Sequence, residues 1–189
     1  MQYGQSMKKF LQTAVVLLIP SLIALTLVPG CVRQEPPEIP PSGGGSGAVE
    51  KLTLEELTAR ADFIVLGTVT NLTSQWTADH KSIYTLVALS VEELIKGDLG
   101  NGEIVIMVPG GTAEGVTQTM EDAASFRVSE SAVVFLRQGD DATFYVVGGF
   151  QGKYAIADDK IAGSDTSLVE FISWIKTCAE MQPGEEQAE

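Results

Sequence analysis

Phe63-Ile64-Val65-Leu66-Gly67-Thr68-Val69-Thr70-Asn71-Leu72 is the stretch on which the fold turns. Its first half is apolar at every position and its second half alternates, which predicts a strand buried on both faces that emerges to half-burial as it proceeds. Gly67 in the middle predicts a bulge or a sharp coil, because a glycine inside a strand pattern marks a bend or a close backbone approach. One strongly bent strand among about five, with a helix before and after them, fits a small closed or half-open barrel better than a sandwich, which would want more strands.

The flanking sequence continues the theme. Residues 82–96 alternate, with Ile83, Thr85, Val87, Leu89 and Val91 on one face and Tyr84, Leu86, Ala88 and Ser90 on the other. Lys96-Gly97-Asp98 and Gly100-Asn101-Gly102 punctuate the run, and residues 103–108 form a third strand stopped by Pro109-Gly110-Gly111. A polar excursion over 112–130 interrupts the pattern before a fourth strand at 131–136. Gln138-Gly139-Asp140-Asp141 turns the chain into 143–147, and 148–152 turns it again into 153–156. Thr53-Leu54-Glu55-Glu56 and Ser167-Leu168-Val169-Glu170 have the form of capping boxes and start two helices. In the second, Leu168, Phe171, Ile172, Ile175 and Cys178 recur at helical spacing, so that face must be covered by the sheet. The expected fold is mainly β: a small OB-like antiparallel barrel of five to six strands, with a short N-terminal helix and a C-terminal helix packed on it.

Beyond the barrel, the chain of 189 residues divides by composition. Residues 1–30 hold Lys8 and Lys9, no acid, and an apolar run over 10–28, the order of a secretory signal. The run ends at Leu27-Val28-Pro29-Gly30-Cys31, which resembles the lipobox of prokaryotic lipoproteins. That resemblance implies diacylglycerol on the Cys31 thiol and cleavage after Gly30. The rival is an uncleaved signal anchor, since the 19 residues of 10–28 are just long enough to span a bilayer. In both readings the remainder lies on the extracytoplasmic side of the cell membrane, because the two lysines stay inside. Residues 31–50 are a tether, with Pro36, Pro37, Pro40 and Pro41 stiff and extended and Ser42-Gly43-Gly44-Gly45-Ser46-Gly47 coiled, reaching on the order of 40 Å. The barrel occupies 51–179, and 180–189 is an acidic tail.

Short motifs in the barrel resemble the netrin-like module, the OB-type barrel shared by tissue inhibitors of metalloproteinases and netrin C-terminal domains. Ala61-Asp62-Phe63-Ile64-Val65-Leu66-Gly67-Thr68-Val69 resembles its opening strand and Glu93-Leu94-Ile95-Lys96-Gly97 the close of its second. Phe126-Arg127-Val128-Ser129-Glu130-Ser131-Ala132-Val133-Val134-Phe135-Leu136 resembles a later strand, in which glycine is usual where Ser129 stands. The resemblance implies architecture. In the inhibitors an N-terminal cysteine chelates a protease zinc, and no cysteine lies between Val32 and Thr177 to take that role.

Charge and composition narrow the function. A formal charge of −13 disfavours binding to nucleic acid, because counterion release from phosphates needs Lys and Arg. Residues 31–189 hold 10 basic and all 25 acidic residues, so the exported part is the more acidic, at −15. One histidine and two cysteines cannot build a multi-Cys/His zinc site. His80 lies in a polar loop and is read as solvent-exposed, and Cys178 as a buried small hydrophobe. Asp140-Asp141 and Asp158-Asp159 lack calcium-loop spacing and read as hairpin turns. No catalytic, cofactor-binding or metal-ligating residue is assigned.

The expectation is a membrane-anchored extracytoplasmic binding module for a protein, peptide or glycan. The alternatives are an envelope-associated hydrolase and a structural spacer or assembly subunit. The expected binding loop is the 112–130 excursion, with Thr112, Glu114, Thr117, Gln118, Glu121 and Asp122, joined by Trp76. Excision of 112–125 is expected to leave folding intact.

Overall fold

The computed structural model describes residues 50–100, 102–139 and 143–181. The expected signal segment, Cys31, the expected tether up to residue 49, Asp140-Asp141 and the expected acidic tail beyond residue 181 lie outside the described residues. Helix α1 (Leu54–Arg60) is followed by strands β1 (Phe63–Trp76), β2 (Ile83–Lys96), β3 (Glu103–Pro109), β4 (Gly111–Ala113), β5 (Val116–Gln118), β6 (Ser131–Gln138) and β7 (Phe144–Val146). A 3-10 turn (Gly149–Gly152), β8 (Lys153–Ala157), β9 (Lys160–Ile161) and α2 (Leu168–Glu180) complete the elements among the described residues.

The strands close a five-membered barrel in the order β1-β2-β3-β7-β6 and back to β1, with β8 and β9 extending the sheet from β6. Four of the five seams are antiparallel and the fifth, β3 with β7 through Ile106 and Phe144, is parallel. The expected antiparallel ring is therefore broken at one seam, and parity requires it. An odd number of strands cannot alternate direction all the way round a closed ring.

Strand β1 does the bending. It pairs with β2 over its whole length while its first half also pairs with β6, Phe63 against Leu136 through Thr68 against Ser131. Register shifts at Leu66/Gly67 and Val69/Asn71 coil it around the barrel. At Gly67 a Cβ would collide with the Ser90 carbonyl oxygen, so only glycine lets β1 and β2 approach this closely.

Burial on both faces of β1 and β6 explains their unbroken apolar runs. Val65, Val69, Ala132, Val134 and Leu136 point into the barrel with Val87, Leu89, Ile104, Ile106 and Phe144. The alternate residues Ile64, Leu66, Val133 and Phe135 point outward into a second core, closed by Leu57 and Ala61 of α1 and Phe171 and Ile175 of α2. Burial of a side chain of this size contributes about 1.5–3 kcal/mol, so both helices are held chiefly by this outer face. Tyr154 fills its centre, 5.8 Å from the Phe135 ring and 4.8 Å from Phe171.

Capping fixes where the helices start. The Thr53 hydroxyl accepts from the Glu56 N–H at 3.2 Å and the Glu56 carboxylate accepts from the Thr53 N–H at 2.8 Å. At α2 the Ser167 hydroxyl accepts from the Glu170 N–H at 3.2 Å. The other end of α1 is closed by Lys96, whose ammonium donates to the Thr58 and Ala61 carbonyls at 2.7 and 2.9 Å. A cation there complements the negative helix terminus. Desolvation pushes the Lys96 ammonium below its ordinary pKa, with Asp62 pulling the other way.

Candidate functional site

The barrel interior opens at one end into a cleft of about 350 Å³. Alternation along the strands builds its floor: Val87 of β2 and Val108 of β3 end the packed core, and Leu72 and Ser74 of β1 and Thr85 of β2 continue the inward face beyond it. The far wall comes from the segment after β3, through Thr112, Thr117, Gln118, Met120 and Phe126. Seven lining side chains carry a hydroxyl or amide and none carries a charge.

Residues 112–130 are not the irregular excursion that polarity alone suggests. Strands β4 and β5 form a hairpin, Gly111 against Gln118, Thr112 against Thr117 and Ala113 against Val116. Glu114 and Gly115 turn it with φ of 52° and 82°, both left-handed, as a two-residue hairpin turn demands. The hairpin folds back over the mouth because Gly111 allows it. A Cβ there would overlap the Thr85 and Ser74 hydroxyls. Those hydroxyls bond each other at 2.9 Å, and Thr85 donates to the Gly110 carbonyl at 2.8 Å. Opposite them the Gln118 amide oxygen accepts from the Ile83 N–H at 2.6 Å, and the Thr112 and Thr117 hydroxyls bond each other at 2.9 Å.

Beyond the hairpin the chain is strapped to the barrel. The Phe150 N–H donates to the Asp122 carbonyl at 2.9 Å, Ala124 is buried, and the Lys153 ammonium donates to the Ser125 carbonyl at 2.7 Å. Lys153 also meets Glu130 at 2.6 Å and lies 5.0 Å from the Phe126 ring centroid. Excision of 112–125 would strip acceptors from Ile83, Phe150 and Lys153 and uncover the barrel mouth. The expectation that folding survives that excision is withdrawn on these contacts.

The sequence-selected residues divide. Thr112, Thr117 and Gln118 line the cleft; Glu114, Glu121, Asp122 and Trp76 do not. Glu114 is the exposed hairpin turn, and Asp122 acts through its backbone carbonyl. Trp76 shares the face of Leu72 and Ser74 but sits further out along β1, its ring 6.2 Å from His80. His80 is exposed at the β1–β2 turn with φ 54°. Beside it the Asp79 carboxyl is held below the usual carboxylate range by the Thr77 hydroxyl and the Lys81 N–H. Asp158 and Asp159, at φ 52° and 59°, form the turn between β8 and β9. Among the described residues no group of three His, Cys, Asp or Glu is placed to hold a metal ion.

Sequence reasoning missed Ser74, Thr85 and Phe126. The available signal was a hydroxyl in the inward register of β1 and of β2, where a closed core would take an aliphatic residue. Comparison of the chain with protein-family models and with curated protein sequences gives no match.

Proposed function

We propose that this chain is a membrane-anchored extracytoplasmic binding module that takes its ligand, a protein, peptide or glycan, at the barrel mouth. The cleft carries the reading. Its volume of about 350 Å³ lies in the range of ligand sites, and its lining mixes apolar walls with several hydroxyls and an amide. A lining without a titratable side chain suits recognition better than proton transfer or nucleophilic attack, which need a group of tuned pKa.

The anchoring half of the proposal rests on sequence. The basic start, apolar run and Leu27-Val28-Pro29-Gly30-Cys31 motif support export with a lipid on Cys31, and the Pro/Gly tether supports a domain held off the membrane. A relationship to the netrin-like module is part of the same proposal and is supported by the short motifs already quoted. The acidity of the exported part is consistent with standing clear of anionic headgroups.

The test is a screen of the full chain, extracted from membranes, against peptide and glycan libraries, paired with a Thr117→Trp variant that fills the cleft from its rim. Hits that disappear in the folded variant support the reading; hits that persist unchanged would overturn it. Intact mass of the same material checks the anchor. Added acyl mass on a chain starting at Cys31 supports the lipid, and retention of residues 1–30 refutes it.

A further inference from the structure

We infer that the ligand is an extended peptide that adds as a strand to the outer edge of β5, with Lys or Arg at its ends and small uncharged side chains directed into the cleft. This rests on the mouth being the binding site. Strand β5 has one strand neighbour among the described residues, β4. Next to a two-residue turn the pair Ala113–Val116 exchanges both backbone hydrogen bonds, and the ladder alternates outward from it. Thr112–Thr117 is therefore a pair that does not, and the N–H and C=O of Thr117 point away from β4. An incoming backbone meets that vacant donor and acceptor at the rim of the cleft.

Two further features select the occupant. Natural edges are blunted by shortness, lysine, proline or inward charges; β5 is short, but Val116-Thr117-Gln118-Thr119-Met120 carries no lysine, proline or charge, and Val116 and Met120 are 48% and 44% exposed. Acids bracket the edge instead: Glu114 stands at one end, Glu121 and Asp122 beyond the other, and residues 112–122 contain no Lys or Arg. Cationic ends on the peptide complement that bracket, and the uncharged lining between suits neutral side chains.

The experiment measures binding to the full chain of three synthetic probes, each six residues of valine and threonine flanked at both ends. The first carries lysine ends, the second glutamate ends, and the third is the lysine form methylated on alternate backbone nitrogens. The lysine form is expected to bind about tenfold or more tightly than the glutamate form, an advantage that shrinks with salt. Methylation is expected to weaken binding by about tenfold, the loss of one or two backbone hydrogen bonds. Thr117→Pro, which removes an outward N–H and no bond to β4, should act on the lysine form as methylation does. Equal affinity of the methylated and parent probes, equal affinity of the two end charges, or no binding at millimolar concentration overturns the proposal without needing any variant to fold. Peptide failure alongside a glycan hit lost in Thr117→Trp would sink strand addition and leave the cleft as a binding site.

Discussion

The Lys153 ammonium lies 2.6 Å from a Glu130 carboxylate oxygen, the lysine side chain 2% exposed and the glutamate 15%. Glu130 also accepts from the Arg127 N–H at 3.0 Å, and Lys153 also donates to the Ser125 carbonyl at 2.7 Å. One ion pair thus pins the start of β8 to the strap that frames the barrel mouth. Burial pushes the Lys153 ammonium below its ordinary pKa, while the Glu130 carboxylate pulls it up.

Removing one partner should be costlier than removing both. Glu130→Ala leaves a buried cation and is expected to lose about 3–5 kcal/mol, whereas Lys153→Met leaves a carboxylate that water reaches and should lose less. The double variant should fall well short of the sum. Urea unfolding of the three proteins measures the coupling, and strictly additive losses would show that the pair is not energetically linked.

Ser129 sits at φ 68°, in the left-handed region, with its N–H donating to the Val69 carbonyl at 2.8 Å. Glycine adopts that conformation without the steric cost a Cβ brings. Ser129→Gly should leave stability within about 1 kcal/mol of the parent, relief of strain being offset by a more flexible unfolded chain. Ser129→Val should lose about 1–2 kcal/mol. Thermal unfolding checks the ordering, and a valine variant as stable as the glycine variant would contradict it.

Tyr154, buried between the barrel and α2, has its phenol pushed by desolvation from 10.0 up to about 12. The folded state therefore keeps a proton that the unfolded state releases above pH 10. Stability from this group is intact below pH 10 and falls by about 2–3 kcal/mol as pH rises to 12. Lys153 acts oppositely: between its lowered folded pKa and 10.5 the unfolded state binds more protons, so stability rises with pH there. Tyr154→Phe should flatten the alkaline fall relative to the parent in unfolding curves between pH 9 and 11. Parallel pH profiles would show that the phenol is not the cause.

Gly67 and Gly111 should respond to alanine for different reasons. At Gly67 the new methyl meets the rigid Ser90 carbonyl, so the β1–β2 seam must open, at a cost of about 3 kcal/mol or more. At Gly111 it meets the Ser74 and Thr85 hydroxyls and adopts φ 135°, so the hairpin should detach while the barrel persists. Hydrogen exchange separates the cases. Faster exchange confined to residues near 110–119 is expected for Gly111→Ala, and protection unchanged there would refute the hairpin's dependence on that approach.

The barrel was largely legible because its strands announce themselves locally. The apolar run at 63–66, the alternation at 83–91 and the Thr53 and Ser167 caps each reflect a rule acting within a few residues. The β4–β5 hairpin was hidden because Ala113-Glu114-Gly115-Val116 carries glutamate where asparagine or aspartate would signal a turn, between strands of only three residues.

The main strands in their succession along the chain, the helix starts, the coil at Gly67 and the acidity of residues 31–189 follow from the amino-acid sequence, since each depends on near neighbours or on composition. The cleft does not. Ser74 and Thr85 meet through the β1–β2 register, Gly111 reaches them after β3 ends, and Lys153 secures the strap from 23 residues beyond Glu130. Those distances along the chain carry no local pattern. Only closure of the barrel, with its one obligatory parallel seam, brings the groups together and leaves the outer edge of β5 beside an uncharged mouth.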